Sequence, residues 1–373
     1  MEGTDVDFSY AFIEKELPDD YVDLFRQMKD LGIKTRYSLS FWDMEYQQNG
    51  GTISKNRLNT DGEIERYLAY VQMVVTRLKG LVDGYELWNE PNANYDFYQR
   101  ITPEDYIKVA GLAIPLIRKI DPQAKIFLIS AVCMNENSRE YSMKILQSDV
   151  ITLADAISLH TVNNDASPVF HSEYYYGYEA MWKNIKSIVE ANGFQGEYIA
   201  DELNYRSNYS LELQPESGDL HPYEPEIAAK YIGRMIAINL GLDISVGTSG
   251  TNIFERPFEG YMIRNMAYLL DGLQAISFPV SVQSESNLVR YYTFVDEDGN
   301  KYIAIWDDGE AKVSSDSFAS SIVVEDTSAI SVIAMDPFNS KTQNMKFTNS
   351  DNGVVLDGIK ITDFPVIYKI EIR

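Results

Sequence analysis

The stretch Thr102–Val132, "TPEDYIKVAGLAIPLIRKIDPQAKIFLISAV", reads as one helix followed by one strand, and the same unit recurs on both sides of it. Thr102 is a side-chain cap, Pro103 suits the first helical turn, and Glu104 and Asp105 complement the partial positive charge of that turn. Tyr106, Val109, Ala110, Ala113, Ile114 and Ile117 recur at helical spacing and mark one apolar face. Pro115 falls inside that pattern and predicts a kink, because proline removes an amide donor and crowds the preceding turn. Asp121-Pro122 turns the chain, and Ile126–Val132 is a nearly continuous apolar run of strand length.

Upstream, Tyr21, Leu24, Phe25, Met28 and Leu31 predict a helix closed by Gly32, followed by a strand over Ile33–Asp43. Residues 44–60 are polar and read as a long loop. Ile64, Tyr67, Leu68, Val71, Val75 and Leu78 predict the next helix, closed by Gly80, and a strand follows at about 83–88. Downstream, strands are expected at Ala156–His160, Glu197–Glu202 and Ile244–Phe254, with helices at about 178–191, 225–240 and 261–275. Strand–helix units repeated along a chain imply parallel strands joined by right-handed crossovers. A weaker strand at Asp5–Ile13 brings the count to one short of the eight that close a (β/α)8 TIM barrel. The fold class expected is therefore α/β, a (β/α)8 barrel whose first strand–helix unit is either lost upstream or replaced by another element that plugs the gap. After about residue 280 the pattern changes. "VRYYTFVDEDGNKYIAIWDDG" (Val289–Gly309) alternates around Asp298-Gly299-Asn300, a hairpin signal, and Ile322–Val324, Ile330–Met335, Val354–Leu356 and Val366–Ile372 are strand-like without intervening helices. The expected division is a barrel over 1–284 and an antiparallel β-sandwich over 285–373.

Charge narrows the partners. A net charge of −24, from 56 acidic against 32 basic residues, repels nucleic acid, anionic membrane surfaces and highly sulfated polyanions. No apolar run approaches the length of a membrane span. The single cysteine, Cys133, ends an apolar strand and reads as a buried core thiol. Three histidines without zinc-site spacing leave no metal or other cofactor expected.

Immediately before the opening unit stands Gly84–Asn92, "GYELWNEPN", which places Glu90 just past a strand and before Pro91. In parallel barrels the carboxyl ends of strands form the active face. "WNEPN" after a strand resembles the acid/base motif of clan A glycoside hydrolases, and its surroundings resemble family 39 and its neighbours. The opening stretch is similar to the family's following helix and turn, "DAISLH" (Asp155–His160) to its sixth strand, and "FPVIYKIEI" (Phe364–Ile372) to its appended sandwich.

The resemblance implies a retaining β-glycosidase acting on an oligo- or polysaccharide by double displacement. Such enzymes hold two carboxyl groups about 5–5.5 Å apart, one as nucleophile and one as acid and then base. Glu90 is the implied acid/base. "GEYIADELNY" (Gly196–Tyr205) holds the implied nucleophile, Glu202, at the end of the seventh barrel strand. Its rivals are Asp201, which strand alternation turns the other way, Glu197, at the wrong end of the strand, and Glu255. By the same resemblance Asn89 bonds the sugar hydroxyl beside the reacting carbon, His160 lines that subsite, and Phe254 stands where an aromatic platform is expected. Trp42 and Asp43, ending the "RYSLSFWD" strand, are expected as a wall and a hydroxyl-binding group. The family's tyrosine after the sixth-strand histidine is replaced by Thr161-Val162, and the run Tyr174-Tyr175-Tyr176 is the nearest source of such a hydroxyl. A carbohydrate is the expected partner, in keeping with 26 tyrosines, whose apolar faces and polar tips match sugars. Oligomeric state is left open. Glycan substrates imply a secreted or periplasmic protein, although no export signal precedes the barrel. The competing reading is a catalytically inactive carbohydrate-binding barrel, which would normally have lost one carboxylate.

Overall fold

The computed structural model describes residues 10–93, 100–133, 135–161, 166–205, 207, 223–249 and 256–372. Contacts divide the chain into two compact units. One comprises Met1–Thr161 with Met181–Ile199, the other Val162–Ala180 with Ala200–Arg373.

The first unit carries the repeated strand–helix pattern. Short strands β1 (Arg36–Ser38) and β2 (Gly84–Glu86) pair in parallel, and β2 pairs with β3 (Lys125–Val132), which pairs with β4 (Ala156–His160). β5 (Glu197–Leu203) runs from the first unit into the second, and β6 (Ser245–Thr248) completes the sheet order β1-β2-β3-β4-β5-β6. β2 and β4 are buried at every position, as strands covered by helices on one side and a core on the other must be. The helices follow from the sequence. α1 (Tyr10–Lys15), α2 (Asp19–Asp30), α3 (Met44–Gln48), α4 (Asp61–Leu78), α5 (Pro103–Ile120) and α6 (Glu136–Leu146) alternate with these strands. α4 and α5 begin at Thr60 and Thr102, each of whose hydroxyls accepts the amide three residues on. The apolar face expected from Tyr106 to Ile117 is the buried face of α5, and Pro115 is accommodated within that one continuous helix. Cys133 is buried directly after β3, and burial pushes its thiol up to about 11.

Several expectations need correction. The strand read at Asp5–Ile13 is helical where it is described, from Tyr10 to Lys15, and residues 5–9 lie outside the described residues. Six residues are too few for period-two and period-3.6 patterns to be told apart. The loop read at 44–60 contains α3, and the interval after β3 contains α6, whose Asn135 and Ser138 form a reciprocal capping box.

The second unit carries α8 (Pro225–Gly241), α9 (Pro257–Leu270) and two antiparallel sheets. One sheet has the order β13-β12-β16-β10-β9-β7 and the other β14-β15-β11-β8. Their strands are β7 (Gln274–Ala275), β8 (Val280–Ser284), β9 (Val289–Val295), β10 (Lys301–Asp307), β11 (Ser317–Glu325), β12 (Ala329–Asp336), β13 (Lys341–Asn344), β14 (Thr348–Ser350), β15 (Gly353–Thr362) and β16 (Val366–Ile372). The β9–β10 hairpin turns at the expected residues. Asp296 Oδ1 accepts the amides of Asp298 and Asn300, and Gly299 takes a positive φ of 81°. Ile303, Ile305, Ile322, Val324, Leu356, Ile361 and Ile370 form the core of this unit.

The helix α7 (Ser172–Ala191) begins before the expected 178–191 and contains Tyr174-Tyr175-Tyr176. Tyr175 donates to Asp308 Oδ1 at 2.6 Å and Tyr176 to the Asp308 carbonyl at 3.0 Å. These two hydroxyls are thus committed to packing within the second unit.

Candidate active site

β2 ends at Glu86, but the chain continues alongside β3 for another turn. Leu87 and Trp88 are buried, and the Leu87 carbonyl accepts Tyr67 Oη at 2.9 Å. Asn89 and Glu90 are half-buried. The Asn89 amide donates to Ser40 Oγ at 3.0 Å, and the Glu90 amide donates to the Ser130 carbonyl at 2.9 Å. Glu90 takes φ 49°, a left-handed conformation that is uncommon for a residue with a Cβ and further restricted by the proline that follows. Such a conformation persists only where the surroundings over-determine it, and it concentrates at functional sites.

The partner of the carboxylate is His160. Its Nδ1 lies 3.1 Å from Glu90 Oε1, with side-chain exposures of 8% and 16%. The last residue of β4 therefore meets the loop after β2 beyond the point where β2 stops pairing with β3. β3 itself is irregular here. Ile129 and Ser130 have φ 86° and 44°, and its register against β4 shifts between Ile129 and Ala131. This bulge turns the Ser130 carbonyl toward Glu90, a re-aiming typical of bulges beside functional groups. Nothing in the sequence signals it.

Trp42 is half-buried and packs edge-on to Trp88 with ring centroids 6.1 Å apart. Behind Trp88 lies a buried ion pair. The Arg57 guanidinium sits 5.5 Å from the Trp88 ring, bonds Glu63 and donates to the Phe41 carbonyl at 2.8 Å. Thr60-x-x-Glu63 carries the capping-box signature that was available to find Glu63. Asp43 is buried, and both of its oxygens accept from Arg66 at 2.6–3.0 Å. A hydroxyl-binding role for Asp43 would thus require Arg66 to move. The turn at Trp42–Met44 is held by Glu14, whose carboxylate accepts both amides and is pushed above its ordinary range by burial.

In the second unit, Glu202 is half-buried near the end of β5 and has φ 56°. Both glutamates singled out by sequence therefore adopt the left-handed conformation beside a strand end. Asp201 is buried, accepts the Glu202 amide at 3.0 Å, and is aimed at Gly247, where a Cβ would lie 2.0 Å from its Oδ1. Glu197 starts β5 and pairs with Lys125 across the sheet at 2.5 Å. Phe254 and Glu255 lie outside the described residues.

Solved structures share this fold. A family 39 glycoside hydrolase from the gut symbiont Bacteroides cellulosilyticus WH2 matches with a TM-score of 0.63 at 14% identity, covering 98% of this chain and 74% of its own. AbfB, a family 51 alpha-L-arabinofuranosidase from Bifidobacterium longum, matches with a TM-score of 0.55 at 10% identity, over 93% of this chain and 78% of that one. The catalytic domain of the GH30 xylanase C from Talaromyces cellulolyticus gives 0.53 at 11% identity, over 94% and 79%. The fold is that of clan A glycoside hydrolases, as the sequence resemblance implied. No protein-family model matches the chain, and no curated protein matches it.

Proposed function

We propose that the protein is a retaining glycoside hydrolase that cleaves β-glycosidic bonds of an oligo- or polysaccharide. Glu202 attacks the anomeric carbon while Glu90 protonates the leaving oxygen. Glu90 then deprotonates the water that releases the sugar. The observation that carries this reading is Glu90 itself: a half-buried carboxylate in the family motif, held in a left-handed conformation and bonded to His160. Glu202 in the same conformation on β5 supports it. His160 orients the acid, and Asn89 and Trp42 serve the sugar-binding side, with Phe254 as a platform; Asp43 joins them only where Arg66 releases its carboxylate. The barrel is assigned to residues 1–284 and the sandwich to 285–373, although β7 and β8 already belong to the antiparallel sheets. No helix among the described residues is long and apolar enough to cross a membrane. We place the protein outside the cytoplasm because polymeric glycans are met there.

The test is a panel of nitrophenyl glycosides and neutral polysaccharides assayed with the wild-type chain, Glu90→Ala and Glu202→Ala. Hydrolysis of at least one β-glycoside, reduced on the order of 10³-fold or more in Glu202→Ala, is expected. Glycan binding without turnover would instead establish a binding barrel.

A further inference from the structure

β2 stops pairing with β3 at Glu86–Phe127, whereas β3 runs on to Val132. In a parallel sheet the amide and carbonyl of one residue point to the same neighbouring strand. Val132 lies in register with His160, and the Cys133 amide, not that of Val132, donates to the His160 carbonyl at 3.0 Å. The amide and carbonyl of Val132 therefore face the side where β2 has ended. Val132 is half-buried, and a backbone pair that the sheet leaves over there finds other partners.

Asn92 supplies both. Its Nδ2 donates to the Val132 carbonyl at 2.8 Å, and its Oδ1 accepts the Val132 amide at 3.1 Å. The side-chain amide thus imitates the peptide group of the absent strand residue. Glu90 and Asn92 stand at the first and third positions of a turn closed by the Ala93 amide on the Glu90 carbonyl at 3.0 Å, with Pro91 at the second position, where it is favoured. The Ile101 amide on the Pro91 carbonyl, at 2.9 Å, ties down the far side of this turn. One path then links the two members of the Glu90–His160 pair: Glu90, through the turn to Asn92, to Val132, across the ladder to His160, and back to Glu90 at 3.1 Å.

We infer that Asn92 is a positioning residue for the acid/base, fixing the Glu90 carboxyl relative to the β3–β4 edge without itself touching substrate. This rests on the proposed glycosidase reading. Only an amide of this length does both jobs, since aspartate keeps the acceptor but turns a second oxygen on the Val132 carbonyl.

The experiment compares Asn92→Ala, Asn92→Asp and Glu90→Ala on two aryl glycosides of the same sugar, one with a nitrophenol and one with an unactivated phenol as leaving group. A misplaced acid matters most where the leaving group needs its proton. The Asn92 variants should lose on the order of 10- to 100-fold in kcat/KM on the phenol glycoside and no more than a few-fold on the nitrophenol glycoside. The aspartate variant, nearly identical in shape, reads the effect if the alanine variant folds poorly. Equal losses on both substrates would indicate general loosening and overturn the inference, as would wild-type rates on both. Glu90→Ala separates the two levels. If it shows the leaving-group dependence and the Asn92 variants do not, only the positioning role fails. If Glu90→Ala shows none, the acid/base assignment and the inference fall together.

Discussion

The Glu90–His160 contact is the most informative pair of residues in the first unit. A carboxylic acid that must donate a proton and later retrieve one needs a fixed orientation more than it needs a strong field. His160 provides it from β4, the Ser130 carbonyl from β3, and Asn92 from the turn after β2 through its bonds to Val132. Replacing His160 by alanine should lower kcat on the order of 10- to 100-fold with little change in KM, because the imidazole acts through Glu90. A KM increase with kcat intact would show instead that His160 contacts the sugar, the role first expected for it. At this scale the sequence singled out candidate side chains by motif and strand end and was a poor guide to what they touch. Glu90 and His160 stood out by motif and strand end. That Asp43 faces Arg66, and that Arg57 with Glu63 backs Trp88, depends on where three separate loops fold together.

At the level of elements, long amphipathic helices and buried strands were legible because their periodicities are sustained, as in α4, α5, β3 and β4. Short or polar elements were not. β13 and β14 are exposed throughout and carry no apolar alternation, and α3 is five residues long. The β3 bulge is set by tertiary pairing and leaves no local trace. Elements of the second unit are tied by buried charge. On α8, Lys230 Nζ bonds Asp363 at 3.1 Å, Ser315 Oγ at 2.8 Å and the Lys312 carbonyl, and burial lowers the Lys230 pKa. Arg234 one turn on donates to the Asp363 and Gly309 carbonyls. Lys230→Met should cost about 3–5 kcal/mol, since it leaves Asp363 buried without its cation. The exposed Lys312–Asp316 pair is the internal control, and removing it with Lys312→Ala should leave the midpoint of the same urea titration close to that of the wild type. Equal midpoints for the two variants would contradict this reading of the network. Cys133 offers a second check on packing. With its thiol buried and pushed up to about 11, it should resist an aromatic disulfide reagent in the native protein and react fully in denaturant.

For the molecule as a whole, the account joins three independent lines: a sheet ordered β1 to β6 with the fold of clan A glycoside hydrolases, a motif-bearing acid held by its neighbours, and a second glutamate on the fifth strand of that sheet. A net charge of −24 argues against a highly sulfated polyanion as the proposed substrate. The most direct test traps the covalent intermediate. An activated 2-fluoro sugar of the anomeric configuration that the glycoside panel selects is incubated with the protein, and intact mass and peptide mapping are recorded. The account predicts one added glycosyl group per chain, located on Glu202. A label on Glu255, or none despite measurable hydrolysis of the parent glycoside, would contradict it.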